Sequence, residues 1–264
     1  MTNKLALITG ASSGIGYDLA FEHAKHNGDL VLVARRKAQL EQLASELRSK
    51  YQIKVWVVEK DLSKNNAALE IYEWIKAQNL QVDYLINNAG FGGYGTFHER
   101  SFEDDSNMIQ VNIVALTQLS KLFMPDLIQR QGSRIMNVAS VAGFVPGTFQ
   151  AVYYATKAYV QSLGYAINAE LETIKTDLRV TTLCPGPTST EFAQVAKAED
   201  IRAFKYLKRG VDSKFVAEYG YKAMLKAKYI ATPGFDNQLL VHFISKIAPR
   251  MQAARITRFM QGKD

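Results

Sequence analysis

Tyr153 and Lys157 stand four residues apart and form the side-chain pair best suited to proton chemistry in this sequence. Residues four apart on a helix project from the same face, so the two side chains would be neighbours. A tyrosine hydroxyl titrates near 10 in water, and a neighbouring ammonium group favours the tyrosinate and lowers that pKa. Such a pair is more often an ordinary surface pair, so its interpretation depends on the elements around it.

A glycine-rich turn near the start of the chain predicts a phosphate-binding site. The apolar run 4–9 has strand character, the turn holds Gly10, Gly14 and Gly16, and an amphipathic helical pattern continues to about residue 27. Glycines let the backbone curl tightly, and the free N–H groups of the new helix attract negative charge. The spacing differs from the G-x-G-x-x-G fingerprint of dinucleotide-binding folds, and a plain β-turn is the alternative.

Alternating strand and helix patterns continue along the chain and predict a doubly wound α/β fold. Further strands are predicted at about 30–34, 53–58, 83–87, 134–140 and 180–184, and helices at about 37–50, 65–78, 106–130 and 153–174. This order predicts one Rossmann-type domain over residues 1–264, a parallel sheet with helices on both faces. Because ligands bind at the carboxyl ends of such strands, the motifs found there should converge on one crevice.

Composition narrows the class of protein. The 264 residues are 47% hydrophobic and 22% charged, no apolar run approaches the roughly 18 residues of a membrane span, and no signal peptide is recognisable. The four histidines are scattered and suggest no metal site. The single cysteine, Cys184, cannot form an intrachain disulfide, which fits a reducing cytoplasm.

The net charge of +7 comes from the C-terminal part of the chain. Residues 200–264 carry a net charge of +8, and residues 1–199 carry −1. Solvated faces of terminal helices are the simplest explanation. Attraction of an anionic substrate or of an acidic membrane surface is the alternative. Nucleic acid is disfavoured as a partner, because no recognisable binding module accompanies the charge.

Five motifs together resemble the short form of the short-chain dehydrogenase/reductase family over residues 4–190. They are the turn T-G-A-S-S-G-I-G, the sequence N-N-A-G at 87–90, V-N-I around Asn112, Ser140 followed by Y-x-x-x-K at 153–157, and a P-G loop from Pro185. The resemblance implies an NAD(P)-dependent enzyme that acts on CH–OH groups.

By this resemblance the cofactor is NADP(H), with NAD(H) less favoured. An acidic residue at the end of the second strand binds the ribose of NAD, whereas arginine suits the 2′-phosphate of NADP. Here Ala34 is followed by Arg35 and Arg36, although a basic pair could also simply open the next helix. The implied cofactor-binding residues are Gly10, Ser12, Ser13, Gly14, Ile15, Gly16, Arg35, Arg36, Asp61, Leu62, Asn88, Ala89, Gly90, Tyr153, Lys157, Pro185, Gly186, Thr188 and Thr190.

The resemblance also implies four catalytic residues. Tyr153 would be the general acid in reduction and the base in oxidation, and Lys157 would lower its pKa and bind the nicotinamide ribose. Ser140 would hydrogen-bond the carbonyl oxygen, and Asn112 would kink its helix and hold a water in a proton relay. The expected reaction interconverts a carbonyl and a secondary alcohol on a lipophilic or acyl-type substrate. A cofactor-binding regulatory protein or a membrane-surface protein is the alternative.

The resemblance thins after residue 190. Residues 191–227 should form a substrate lid that includes a capped helix after Val211, with Phe192, Val195, Phe204 and Leu207 either facing the substrate or packing on the body. A seventh strand is expected near 229–234. Residues 236–264 should form a basic helical tail interrupted near Pro249, which resembles a bacterial branch associated with lipid-like substrates. A homo-oligomer, dimer or tetramer, is expected from the family.

Overall fold

The central element is a parallel sheet of seven strands. The computed structural model describes residues 3–198, 201, 211–239, 241 and 250–262. The strands are β1 (Leu5–Thr9), β2 (Asp29–Ala34), β3 (Val55–Glu59), β4 (Tyr84–Asn87), β5 (Arg134–Val138), β6 (Arg179–Leu183) and the edge strand Ile230–Ala231. They lie in the order β3-β2-β1-β4-β5-β6-edge, so the order reverses between β1 and β4. The prediction of a doubly wound parallel sheet is therefore confirmed.

Helices cover both faces of the sheet. They are α1 (Gly14–Lys25), α2 (Lys37–Tyr51), α3 (Ala67–Ala77), α4 (Phe102–Ile109), α5 (Leu116–Ile128), α6 (Ala151–Leu171) and the helices Phe192–Val195, Ser213–Leu225 and Arg250–Gln261. One core joins the sheet to α1, α2 and the helix Ser213–Leu225, with Leu19, Leu40 and Val216 fully buried. The other joins it to α3, α5 and α6. Apolar strand residues are buried on both faces, as a parallel sheet requires.

The long helix at the centre of the second face has an irregular middle. Between α4 and α5 the backbone widens into a π-helical segment, Gln110–Ala115, which contains Asn112. Such segments are rare and often mark functional sites. The kink at Asn112 implied by the family resemblance therefore takes this form.

The same helical run, Phe102–Ile128, is long and apolar enough by length and composition to cross a membrane. This differs from the expectation that no run in the chain approaches such a length. Met108, Leu119 and Phe123 are nevertheless buried against the rest of the protein. The run also begins with three acidic residues, Glu103 to Asp105. Of its most apolar 18-residue window, 39% is buried inside the protein.

The C-terminal predictions are met in part. Asp212 caps the helix Ser213–Leu225, since its carboxylate accepts a hydrogen bond of 3.1 Å from the Lys214 N–H. The expected lid and tail are helical at Phe192–Val195, at 235–239 and at Arg250–Gln261. Residues 199–200, 202–210, 240, 242–249 and 263–264 lie outside the described residues, and with them Phe204, Leu207 and Pro249.

Candidate active site

Tyr153, Lys157 and Ser140 meet at the carboxyl end of β5. The first two lie one turn apart on α6, and Ser140 follows the last residues of the strand. The Ser140 hydroxyl hydrogen-bonds to Tyr153, and the Lys157 Nζ lies 5.8 Å from the centroid of the Tyr153 ring. All three side chains are buried. The surface-pair interpretation of Tyr153 and Lys157 therefore does not apply.

Burial acts on the two titrating groups in opposite directions. It raises the pKa of Tyr153, and the hydrogen bond with Ser140 only partly offsets this. It lowers the pKa of Lys157 to about 8. The Lys157 ammonium donates a hydrogen bond of 2.8 Å to the Val138 carbonyl. The charge of Lys157 is not among the causes of the Tyr153 pKa shift in this structure, so the expectation that Lys157 lowers that pKa stays a prediction.

Asn112 lies beside this cluster, and its side-chain amide is held by the Phe91 backbone and the Thr156 hydroxyl. Its Oδ1 accepts a hydrogen bond of 3.1 Å from the Phe91 N–H, and its Nδ2 donates to the Phe91 carbonyl at 2.9 Å and to Thr156 Oγ1 at 3.1 Å. A Cβ placed at Gly90 would approach both Asn112 Oδ1, at 3.0 Å, and Lys157 Nζ, at 3.3 Å. Asn112 thus positions the loop that faces the lysine. The water relay stays a prediction.

The glycine-rich turn has the backbone geometry that an anion cradle needs. Gly10 has φ +67°, and Asn88 Nδ2 holds the turn by donating to the carbonyls of Thr9 at 2.9 Å and Gly10 at 3.1 Å. Ser13 is the N-cap residue directly before α1, yet its side chain accepts no hydrogen bond from an N–H group of the helix. The first-turn amides of α1 therefore have no side-chain acceptor from this cap and fit a phosphate.

Gly16 was predicted to bind the cofactor, but in the structure it allows two segments of the chain to pack closely. A Cβ there would overlap Asn88 Nδ2 and the Gly10 carbonyl oxygen, so only glycine permits the close approach of α1 to the loop after β4. All the predicted site residues except Gly16 and Asn112 line one common cavity at this edge of the sheet.

Arg36 bridges the two sides of the crevice. Its guanidinium group donates to Ser12 Oγ at 3.1 Å and to Ser13 Oγ at 2.6 Å, and it pairs with the Glu191 carboxylate at 3.0 Å. The hydrogen bonds from Arg36 and then Ser13 lower the pKa of Glu191. Sequence reasoning missed Glu191, because nothing local distinguishes it from other acidic residues of the lid.

Arg35 and Asp61 border the same end of the crevice. Burial raises the pKa of Asp61, but the hydrogen bonds from Ser63 and the positive charge of Arg35 outweigh it, so the carboxyl pKa is lowered overall. Asp61 therefore remains ionised at neutral pH and accepts hydrogen bonds from the Ser63 N–H at 3.0 Å and the Ser63 hydroxyl at 2.9 Å.

The P-G loop after β6 joins the catalytic cluster to the glycine-rich turn. The Ser140 hydroxyl donates to the Pro185 carbonyl at 3.3 Å, and Thr188 Oγ1 donates to the Gly186 carbonyl at 2.9 Å. Thr190 lies against Gly14, where an added Cβ would come within 3.0 Å of its methyl group. The residues that make these contacts line one continuous cavity of about 830 Å³.

Comparison with known proteins agrees with this geometry. The short chain dehydrogenase family matches residues 4–200. The chain belongs to this family. A short-chain dehydrogenase is an oxidoreductase that interconverts alcohol and carbonyl groups with a nicotinamide cofactor, so the predicted enzyme class is confirmed. Among the described residues of this short-chain dehydrogenase, no group of three or more His, Cys, Asp or Glu side chains could hold a metal ion.

Individual relatives of this short-chain dehydrogenase span most of its length. An NADP-dependent 3-hydroxy acid dehydrogenase of Schizosaccharomyces pombe is 34% identical over 197 residues, 74% of this chain and 75% of the relative. A short-chain dehydrogenase from Sphingobium yanoikuyae, solved in complex with NADPH, is 30% identical with a TM-score of 0.80 and covers 88% of both chains. A bulky-bulky ketone specific alcohol dehydrogenase from Comamonas testosteroni is 28% identical with a TM-score of 0.76, over 93% of this chain and 96% of that one.

Proposed function

We propose that this short-chain dehydrogenase uses NADP(H) to reduce a carbonyl group to a secondary alcohol, with Tyr153 as the proton donor. The observation that carries the proposal is the meeting of Tyr153, Ser140 and Lys157 in the cavity that also contains the glycine-rich turn and Arg36. When bound, the cofactor supplies the hydride, so the chain must supply the proton and the polar contacts.

Tyr153 is suited to donate that proton. Because burial raises its pKa, the hydroxyl is protonated at neutral pH and can pass its proton to the carbonyl oxygen as the C–H bond forms. The Ser140 hydroxyl, already hydrogen-bonded to Tyr153, would lie beside the same oxygen and stabilise the developing charge. In the oxidative direction Tyr153 would act as the base, and the Lys157 ammonium would favour the tyrosinate.

The arginines support NADP(H) as the cofactor. A guanidinium group recognises a phosphate through charge-assisted hydrogen bonds, and Arg35 and Arg36 both line the cavity beside the glycine-rich turn. The Schizosaccharomyces pombe relative is NADP-dependent, and the Sphingobium yanoikuyae structure contains NADPH. The glycine-rich turn and the amides of α1 would hold the pyrophosphate.

The cofactor preference can be tested by charge reversal. We expect Arg35→Asp to weaken NADPH binding at least tenfold and to leave NADH binding unchanged or tighter, since it replaces a charge-assisted hydrogen bond of about 1.5–3 kcal/mol with repulsion. Dissociation constants are measured by cofactor fluorescence. Lys37→Asp, which makes the same charge change at a neighbouring residue outside the cavity, is the matched control. If both variants change the ratio of the NADPH and NADH dissociation constants equally, the assignment of Arg35 to the cofactor phosphate is contradicted.

The cavity supports a lipophilic or acyl-type carbonyl as the substrate. Beyond Tyr153 it is lined by apolar side chains that include Phe144, Val145, Phe192 and Val195. The Phe192 ring packs on the Tyr153 ring, with 5.2 Å between centroids, so the predicted lid residue lies beside the proposed proton donor. A binding site of this kind selects for apolar groups next to a few polar contacts.

The decisive measurement is NADPH oxidation against a panel of ketones from small to bulky. We expect Tyr153→Phe to lower kcat at least a thousandfold without changing NADPH affinity, because the ring is kept and the proton is lost. Tyr159→Phe, on the same helix with a hydroxyl bonded to Thr117, is the matched control and should retain its activity. Wild-type turnover by Tyr153→Phe would refute the mechanism. Tight NADPH binding with no turnover by the wild-type protein would favour a cofactor-binding regulatory role.

A further inference from the structure

The tail helix Arg250–Gln261 is docked on the body by its polar side chains. Thr257 donates a hydrogen bond to the Pro146 carbonyl at 2.9 Å, and its hydroxyl oxygen accepts one from the Thr148 N–H at 3.3 Å. The three residues of the docked stripe, Ala253, Thr257 and Gln261, are all buried. Their spacing of four residues places them on one side of the helix.

Gln261 fixes the end of the tail helix against the catalytic helix α6. Its Nε2 donates to the Tyr154 hydroxyl at 2.8 Å, its Oε1 accepts from Gln150 at 3.2 Å, and its carbonyl accepts from the Tyr94 hydroxyl at 2.9 Å. The Tyr154 ring lies directly on Gly147, where an added Cβ would overlap it. The tail helix therefore has a defined position relative to Tyr153, the neighbour of Tyr154 in sequence.

Two large apolar side chains of the tail helix, Ile256 and Met260, face the active-site cavity. They stand one turn apart and line the same cavity as the lid residues Phe192 and Val195. Ile256 is 43% exposed and Met260 is 36% exposed. The helix thus docks through one small residue and two polar ones, and its large apolar side chains stay partly exposed, two of them at the cavity.

We propose that Ile256 and Met260 are specificity-determining residues that form the wall for the apolar substituent of the carbonyl substrate. The inference deepens the proposed function and rests on it. Each residue would bury its side chain against a long or bulky substituent, and the hydrogen bond between Gln261 and Tyr154 would fix the distance of this wall from Tyr153. A small ketone would not reach the wall.

The chain offers a matched pair for a test. Met251 is on the same helix as Met260, is 68% exposed and does not line the cavity. For Met260→Trp, which narrows the cavity, we expect kcat/KM for 2-decanone to fall at least tenfold, and that for 2-butanone to change less than threefold. For Met251→Trp we expect both values to stay within twofold of the wild type.

A second variant and a binding measurement make the test independent of folding and of turnover. Met260→Ala removes contacts without adding bulk, so the dissociation constant of 2-decanone, measured by calorimetry on the protein with NADP⁺, should rise about threefold to tenfold. Equal changes for both ketones, or equal effects of Met260→Trp and Met251→Trp, would overturn the inference. Absence of turnover in the wild-type protein would refute the proposed function alone, and the calorimetric comparison would still decide the role of Met260.

Discussion

Lys157 is the residue at which the sequence alone was least able to predict the chemistry. The four-residue spacing correctly predicts that Lys157 and Tyr153 share a helix face, and both line the cavity. The effect of Lys157 on the Tyr153 pKa stays a prediction, and the periodic pattern did not show the burial that raises this pKa. The sequence analysis also missed Glu191 and Gln261, because their contacts join residues that are far apart in the chain. Glu191 pairs with Arg36, and Gln261 bonds to Tyr154.

Glu191 gives a prediction at the scale of one residue. Its carboxylate pairs with Arg36 and contributes negative charge beside the glycine-rich turn, so it would compete with a phosphate of a bound cofactor. Because exposed ion pairs contribute up to about 1 kcal/mol, we expect Glu191→Gln to tighten NADPH binding about threefold to fivefold. Titration of cofactor fluorescence measures the change.

The control for this variant is Glu218→Gln, which removes an exposed carboxylate that is paired with Lys222 and does not line the cavity. It should leave NADPH affinity unchanged. Weaker NADPH binding by Glu191→Gln would show that the ion pair with Arg36 assists the cofactor instead of competing with it.

Secondary-structure elements were predicted more completely than the contacts between them. The bounds of β1 to β6 and of α1 to α3 lie within a few residues of the predicted ones, because their apolar periodicity reflects burial on the sheet. The amphipathic pattern of the tail predicted helix over 236–264 with an interruption near Pro249, and Arg250–Gln261 is helical in the structure. It could not show that Ile256 and Met260 face a cavity, since the docking contacts of that helix are polar.

His23 links several elements and makes their packing dependent on pH. Its Nε2–H is shared between the carbonyls of Lys4 and Asp29, at 3.0 and 3.1 Å, and its Nδ1 therefore accepts a hydrogen bond of 2.8 Å from the Tyr221 hydroxyl. Burial of this neutral ring lowers the pKa of His23 to about 4. The contact joins α1 to the helix Ser213–Leu225.

The lowered pKa of His23 predicts how the free energy of unfolding changes with pH below neutrality. The unfolded chain binds a proton at His23 below about pH 6.5, whereas the native protein does so only below about 4. Stability should therefore fall as the pH decreases from about 6.5 to 4, by about 3 kcal/mol from this group. Urea unfolding at a series of pH values measures it.

Two variants isolate the contribution of His23. His23→Gln has no titrating ring and should show a shallower decrease in unfolding free energy over this range. His98→Gln, a change at an exposed ring beside Glu99, should keep the wild-type slope. Identical slopes for all three proteins would exclude His23 as the source.

At the scale of the whole molecule, the walls of the cavity come from two parts of the chain. The glycine-rich turn, Arg36 and the catalytic residues belong to the region that matches the family, residues 4–200. The tail wall lies beyond it. The predicted single domain over 1–264, the homo-oligomer, the cytoplasmic location and contact of the basic tail with a membrane surface stay predictions.

The docked tail helix has a consequence for the order in which the protein becomes competent during synthesis. The ribosome makes the glycine-rich turn, β1 to β6 and α6 before it makes residues 250–261. A nascent chain that has folded its sheet would therefore present the nucleotide cradle and the proton donor while one wall of the substrate cleft is still missing. Selectivity for the ketone would be acquired later in translation than affinity for the nucleotide.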